Sequence, residues 1–518
     1  MSRIRPEVLH LPTTQAARRS RLHTQVQAGR RTLVIGGGIA GIAAATILSE
    51  RGVQVTLIER EATLGGRAGG FEHTLASGEV VNMERGFHAF FRQYYNLRAL
   101  LRRVDPALSM LEPLPDYPIL GPAGKLQSFS QLPKRTPFQV MALAWQTPYL
   151  RLRDLAGVNA WAALEMLRFD ATRTYARFDH MSAREYLDSL GFPEIARRML
   201  FDVFSHSFFN PEAELSAAEL LMTFHFYFTG NNEGLIFDVV RKPLSVALWQ
   251  PFAAWLRARG VTVITNSAVS RVTRDVRGLL RASHTSGECE ADDMVIALHV
   301  SGLKKLVADS PALSALSHVQ ALTETLPFVV LRLWLDRPLA PERAAFAGTT
   351  GVGFLDNISR YDRFQDESAA WAAKHGGSVV ELHAYAVPRG FDNAALRDDL
   401  VAGLHTFYPE TRSARIIDEC LLVRQDCPAF PPGALALRPT PRTALSDVTL
   451  AGDYVSVPFP CALMERATAS GVLAANTLLA RQGVAPEPLY SVPQQGLFSP
   501  LRWPQAPYLP GRHEANPA

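Results

Sequence analysis

Gly36, Gly38 and Gly41 stand in the spacing G-x-G-x-x-G within the run GGGIAG, and an acidic residue, Glu59, closes the apolar run that follows. These residue types at these intervals can hold a pyrophosphate. Gly36 permits a tight turn, Gly38 lets the main chain approach the phosphates, and Gly41 lets a helix pack closely on a strand. The helix N-terminus turns unpaired N–H groups and partial positive charge towards the same anion. Glu59 can accept hydrogen bonds from ribose hydroxyls. A nicotinamide dinucleotide, a flavin dinucleotide and S-adenosylmethionine all satisfy this pattern.

The elements that must position those residues are legible around them. Residues 32–35 read as a short apolar strand, 39–51 as a helix rich in small residues ended by Gly52, and 53–58 as a second strand. A second strand-rich region covers 260–264, Val269, Val272 and 294–297. A third runs through 448–450 into Gly452-Asp453, ahead of a helix over 462–479. These pieces, 31–115, 245–305 and 441–482, are expected to form one discontinuous Rossmann-like domain. The stretches between them, 116–244 (largely helical, aromatic) and 306–440 (mixed), are expected to build an interleaved substrate-binding domain. The fold class expected is α/β plus α+β. Residues 1–30 carry six arginines and one acid, Glu7, and read as a disordered basic arm. The segment 483–518 holds eight prolines and reads as irregular surface chain.

Composition excludes several classes. A net charge of +4 on 518 residues gives no footprint for nucleic acid. Four cysteines, Cys289, Cys420, Cys427 and Cys461, form no CxxC pair, so no disulfide scaffold, metal site or iron–sulfur cluster is expected, and a reducing cytoplasm fits best. The longest near-apolar run, 33–48, contains four glycines and is too short to span a bilayer comfortably.

Two further motifs narrow the ligand. Leu64-Gly65-Gly66-Arg67 follows the Glu59 strand, and Leu450-Ala451-Gly452-Asp453 precedes the late helix that contains Met464. Both resemble motifs of the amine oxidase and phytoene desaturase group of flavoproteins, which have a GR2-type FAD-binding domain. The resemblance implies FAD. It sets Gly65, Gly66 and Arg67 along the pyrophosphate and flavin, with Gly86 nearby, and gives adenine a backbone contact at Val269. It places Gly452 and Asp453 at the ribityl or phosphate portion, and Met464 in the helix whose positive end faces the flavin.

The segment 84–96, ERGFHAFFRQYYN, is similar in detail to bacterial carotene φ-ring synthases (isorenieratene synthases), as are 332–338, 355–359, 376–386, 423–428 and 462–467. The resemblance covers 31–480 and implies an FAD-dependent carotenoid desaturase. Its reaction would turn a β-ionone ring into a trimethylphenyl ring by two two-electron oxidations, with one geminal methyl moving to the neighbouring carbon. A cationic intermediate is favoured by aromatic faces and fixed dipoles. Phe87, Phe90, Phe91, Tyr94 and Tyr95, and a second group between Phe201 and Phe228, could line a carotenoid tunnel. His88 is the candidate proton acceptor, with His225 behind it, and Glu84 is read either as an acid near the flavin or as a partner of Arg85. A plain desaturase of acyclic polyenes and a non-catalytic carotenoid carrier are the rival readings. The lipophilic substrate implies peripheral attachment to the inner face of the membrane, aided by Arg98, Arg102 and Arg103. The electron acceptor, quinone or dioxygen, is left open.

Overall fold

The computed structural model describes residues 7–9, 23–26, 29–122, 124–128, 142, 159, 164–191, 197 and 209–496. Its centre is a five-stranded parallel sheet in the order Thr262–Ile264, Gln54–Ile58, Arg31–Ile35, Asp293–Ile296, Val448–Leu450. The central strand is buried from Thr32 to Ile35, as expected of a parallel strand covered on both faces. Three separated pieces of chain thus supply one sheet. Parallel sheets of this kind open a crevice beyond the carboxyl ends of their strands.

Helix Ile39–Glu50 starts directly after the first strand and is buried from Ile39 to Leu48. Helix Leu463–Ala480 lies against it at very short range. A Cβ on Gly471 would fall well inside contact distance of the Ala40 carbonyl, so only glycine permits this approach. The first helix stops at Gly52, whose φ of +82° is reached without a Cβ penalty.

A second, seven-stranded sheet runs in the order Ile416–Arg424, Phe328–Leu335, Ser378–Ala384, Asn357–Arg360, Phe346–Thr349, Pro118–Gly121, Gly124–Ser128. Phe328–Leu335 and Ser378–Ala384 are buried at every position, which puts them at the heart of this lobe. The observed architecture is the mixed α/β fold expected. Three details differ from the sequence reading. The region 116–244 contributes two strands to this sheet and a third, Phe237–Val240, to a small sheet with Phe90–Phe91 and Leu111–Pro113. Its described helices include Arg173–Phe178, Ala183–Leu190 and Ala217–Phe224, the last running on into a π-helical turn over His225–Thr229. The basic arm is not wholly unstructured either, since Glu7–Leu9 pairs antiparallel with Leu489–Ser491. Arg30 meets the buried Asp293 at 2.7 Å. The part of the proline-rich segment up to Gly496 is correspondingly anchored, with Val492 fully buried. Local composition carries no sign of this pairing because each strand completes the other.

Candidate active site

A continuous cleft of about 620 Å³ runs from the carboxyl edge of the parallel sheet to the seven-stranded sheet. Its first end is made by the glycine turn. Gly36 adopts φ +103°, and a Cβ there would meet Ala297 O at 2.5 Å. A Cβ on Gly41 would overlap Gly36 O, so both glycines serve the close packing of turn and helix. Gly38 is different. The nearest atom to a Cβ there is Gly66 Cα at 3.9 Å, and Gly38 borders the cleft. The space a side chain would fill is the cleft itself. Gly38 also caps helix Ile39–Glu50 without any side-chain partner, leaving the first N–H groups for an anion.

Glu59 ends its strand beside this turn. Its carboxylate accepts from Gly37 N at 2.6 Å and Glu61 N at 2.9 Å, with burial pushing its titration above the ordinary value. Val269 lines the same end at the start of strand Val269–Arg274. The turn at Gly65 and Gly66 closes against the first one, with Gly65 N donating to Gly37 O at 2.8 Å. At φ +110° a Cβ on Gly65 would collide with the Trp249 ring, and one on Gly66 would meet Gly38 Cα at 3.0 Å. These two glycines therefore make the turns interlock. Arg67 follows them and donates to Asp453 at 2.6 Å. Gly452, at φ +147°, turns the chain after the last parallel strand, and its N–H meets Ser470 Oγ at 2.8 Å. Helix Leu463–Ala480 begins at the cleft with no side chain capping it, and Met464 lies on the wall.

This half of the cleft fits a dinucleotide. It has a glycine cradle open to the cavity, two uncapped helix N-termini, a carboxylate at a strand end, and a room-lining Arg67–Asp453 pair.

The other half is aromatic. Phe87 stacks on Phe346 at 4.5 Å and meets Phe237 and Phe364 edge-on. Phe91 meets Tyr227 at 4.9 Å, and the Tyr94 and Tyr227 hydroxyls share a 2.6 Å hydrogen bond. Phe87, Phe91, Tyr94, Phe209 and Tyr227 border the cleft, whereas Phe90, Phe226 and Phe228 are core. Phe201, Phe204 and Phe208 lie outside the described residues. Tyr117, Phe237, Phe328, Phe346 and Tyr385 also line the wall. They stand singly in the sequence, so clustering could not reveal them. Tertiary pairing of strands brings them in.

At the junction, Gly86 takes φ +101°, and a Cβ there would press on Val330 and His383. His88 borders the cleft, with Nδ1 2.8 Å from Gly86 O. The protein packed around it lowers its titration to about 4, against the opposing pull of the Gly86 carbonyl. It is a neutral imidazole at pH 7.

Glu84 does not line the cleft. It is buried behind the wall, where its carboxylate receives Arg332 Nη2 at 2.9 Å, Gln365 Nε2 at 2.8 Å and Leu244 N at 3.3 Å. Arg85 instead pairs with Asp426. A carboxylate so fully engaged is part of the frame, which corrects the sequence expectation of an acid near the reacting atoms. His225 is likewise internal, bonded to Pro493 O and Thr229 Oγ1 and stacked on Phe169.

One charged cluster at the wall escaped the sequence reading. Glu219 receives Arg466 Nη2 at 2.8 Å, Arg438 Nη1 at 2.5 Å and the Tyr175 hydroxyl at 2.8 Å. Burial works to raise its titration, but Arg466 and Arg438 win and lower it to about 2. Its three partners lie far apart in sequence, so no local motif announces it.

With this geometry in place, the comparisons are informative. The model of the family "Flavin containing amine oxidoreductase" matches residues 39–479. The chain is 48% identical over 472 residues to the carotenoid phi-ring synthase of Streptomyces griseus, covering 90% of this chain and 91% of that one. It is 28% identical over 594 residues to the carotenoid phi-ring synthase of Chlorobaculum tepidum, with 91% of each covered. Among solved structures it resembles wild-type putrescine oxidase bound to putrescine, with a TM-score of 0.61 at 14% identity, covering 87% of this chain and 99% of that one. At that identity the likeness speaks for the fold alone.

Proposed function

The chain belongs to the flavin-containing amine oxidoreductase family, and from that premise we propose that it is an FAD-dependent carotene desaturase that aromatises a β-ionone ring with an intramolecular 1,2-methyl shift. The observation that carries this reading is the single cleft that joins a dinucleotide cradle to an aromatic chamber. Bound FAD supplies a two-electron hydride acceptor.

The chain's own residues do the rest. Gly36, Gly38 and Gly41 shape the pyrophosphate cradle, Glu59 takes the ribose hydroxyls, and Val269 offers its backbone to adenine. Gly65, Gly66, Arg67 and Gly86 flank the cofactor. Gly452 and Asp453 hold its ribityl portion, and Met464 sits where the helix Leu463–Ala480 turns its positive end to the flavin. Phe87, Phe91 and Tyr227 give π faces to a ring cation and exclude water. His88 keeps its Nδ1 proton on the Gly86 carbonyl and orients the loop between cofactor and chamber.

A fully apolar substrate must be collected from a lipid phase. Among the described residues no helix is long and apolar enough to cross a membrane. Peripheral contact through the chamber mouth fits both facts, and a quinone or dioxygen would reoxidise the flavin.

Expression in a bacterium that accumulates β-carotene tests the function directly. An aromatic-ring pigment is the expected product. Unchanged β-carotene with altered acyclic precursors would replace this reading with a plain desaturase, and no pigment change with flavin-free protein would favour a carrier.

A further inference from the structure

Arg466 is the fourth residue of helix Leu463–Ala480, about 4.5 Å of rise behind its first. Arg466, Glu219 and Phe430 border the cleft, and Arg438 packs behind them. The two guanidiniums each lie 4.8 Å from the centre of the Phe430 ring. Arg466 Nε donates to Cys461 O at 2.8 Å and Nη2 to Glu219 at 2.8 Å. Its Nη1 meets no oxygen acceptor among the described residues. Arg438, bonded to the same carboxylate, gives Nε to Tyr454 O and Nη2 to Val455 O. Arg466 is 3% exposed and Glu219 4%.

The charges of this cluster do not cancel. Arginine keeps its proton inside proteins. Burial works to raise the titration of Glu219, but Arg466 and Arg438 lower it to about 2, so it is ionised at pH 7. Burial holds the Tyr175 hydroxyl and the Cys461 thiol neutral. Two cations therefore share one anion. Glu465 does not supply the missing charge at the wall. Its carboxylate accepts from Asn96 N and Leu97 N, both at 2.9 Å, at the start of helix Tyr95–Leu101, and does not border the cleft. Arg67 and Asp453 balance each other, and His88 is neutral. An excess buried cation is costly. This one also stands near the positive end of a helix, where a cation is repelled. Such a double penalty is expected only where function uses the charge.

We infer that Arg466, held by Glu219 with Arg438, tunes the redox balance of the cofactor, its excess charge favouring the reduced form of a flavin at the end of helix Leu463–Ala480. This rests on the FAD placement proposed above. In the oxidation a ring C–H bond breaks, and its hydrogen passes with both electrons to flavin N5. The ring carbon is left positive, and the neutral flavin gains one negative charge along its N1–C2 carbonyl edge. A fixed cation in a low-dielectric wall compensates that charge without having to reorganise. Glu219 keeps the two guanidiniums together and neutralises only one of them.

The test uses full-length protein loaded with FAD and the anion sulfite, which adds to flavin N5 and leaves the same negative charge at N1. Wild-type protein that takes up no flavin would defeat the cofactor reading itself, separately from this assignment. In loaded protein at pH 7, Arg466→Gln should keep FAD affinity within threefold of wild type. Its sulfite binding should weaken at least tenfold, the scale of a unit charge acting across roughly 10 Å of protein. The two-electron midpoint potential should fall with it, by about 30 mV for each tenfold. Arg466→Lys retains the charge and should stay within threefold of wild type. Glu219→Gln leaves both cations uncompensated and should strengthen sulfite binding, a reversal of sign that loosened packing does not produce. Where Arg466→Gln does not fold, Arg438→Gln removes the same unit of charge from behind and decides by the same weakening. Sulfite affinity within twofold of wild type in the arginine-to-glutamine variant, or weakened binding in Glu219→Gln, overturns the assignment.

Discussion

Arg67 donates to Asp453 at 2.6 Å across 386 positions of sequence, fastening the turn after the second parallel strand to the turn after the last one. The bond is charge-assisted and only partly open to solvent, so it fixes the distance between two walls of the proposed flavin site. Asp453→Ala leaves Arg67 without this partner and lets the walls separate. We predict at least a tenfold loss of FAD affinity, read by flavin fluorescence titration. Affinity within twofold of wild type would remove Asp453 from the cofactor site.

The glycines of the first turn make separable predictions because their surroundings differ. Gly38→Ala meets open space and an ordinary backbone conformation, so the protein should fold with near-normal thermal stability yet lose most of its FAD binding. Gly41→Ala drives a methyl into the Gly36 carbonyl and should lower stability outright, by the roughly 1–3 kcal/mol typical of overpacking. Calorimetry beside flavin absorbance distinguishes the two. Equal destabilisation by both substitutions would contradict the cradle as described.

Acid sensitivity should trace to Glu219. Its folded titration, near 2, lies below the ordinary 4.5, so the unfolded chain takes up the proton first as pH falls. The stability it contributes is complete above about pH 4.5 and is lost on descending from there towards 2, a swing on the order of 3 kcal/mol. Glu219→Gln leaves Arg438 and Arg466 without their shared carboxylate. It should cost about 3–5 kcal/mol at pH 7 and flatten the acid limb. Denaturant unfolding at a series of pH values measures both, and an unaltered acid limb refutes the assignment.

His88→Ala should reduce turnover by about threefold to tenfold rather than abolish it, because a neutral imidazole held on the Gly86 carbonyl orients a loop without needing to titrate. Pigment yield per bound flavin is the measure. Wild-type turnover in this variant would strip His88 of any part in the reaction, whereas complete loss would make it indispensable.

The nucleotide half of the site was readable because its chemistry is local. Gly36, Gly38, Gly41 and Glu59 belong to one strand–turn–helix–strand unit, and the structure starts and ends those elements within about a residue of their expected positions. The charged groups behind the wall were not readable in the same way. Arg332 and Glu84 are 248 positions apart and acquire meaning only when the hairpin Gly70–Thr74/Val80–Glu84 lies over the seven-stranded sheet. Glu84 stands out in the sequence only through its neighbours, whereas its ion-pair partner is Arg332. Aromatic density was half informative. It found Phe87, Phe91 and Tyr227 but also counted core rings such as Phe90 and Phe226, because periodicity cannot tell a chamber wall from a packed interior.

The close seat of Gly471 on Ala40 carries a consequence for biosynthesis. The first helix and its strand leave the ribosome early, yet the fifth parallel strand and the helix that covers them are made roughly 400 residues later. At typical elongation rates of about 5–20 residues per second, the nascent turn waits roughly 20–90 seconds for its covering helix. During that interval the helix face that the late helix will cover stays unpaired. Cofactor loading therefore waits until the late helix has been made, and flavin supply at that moment, rather than while the first turn emerges, should govern how much active protein a cell obtains.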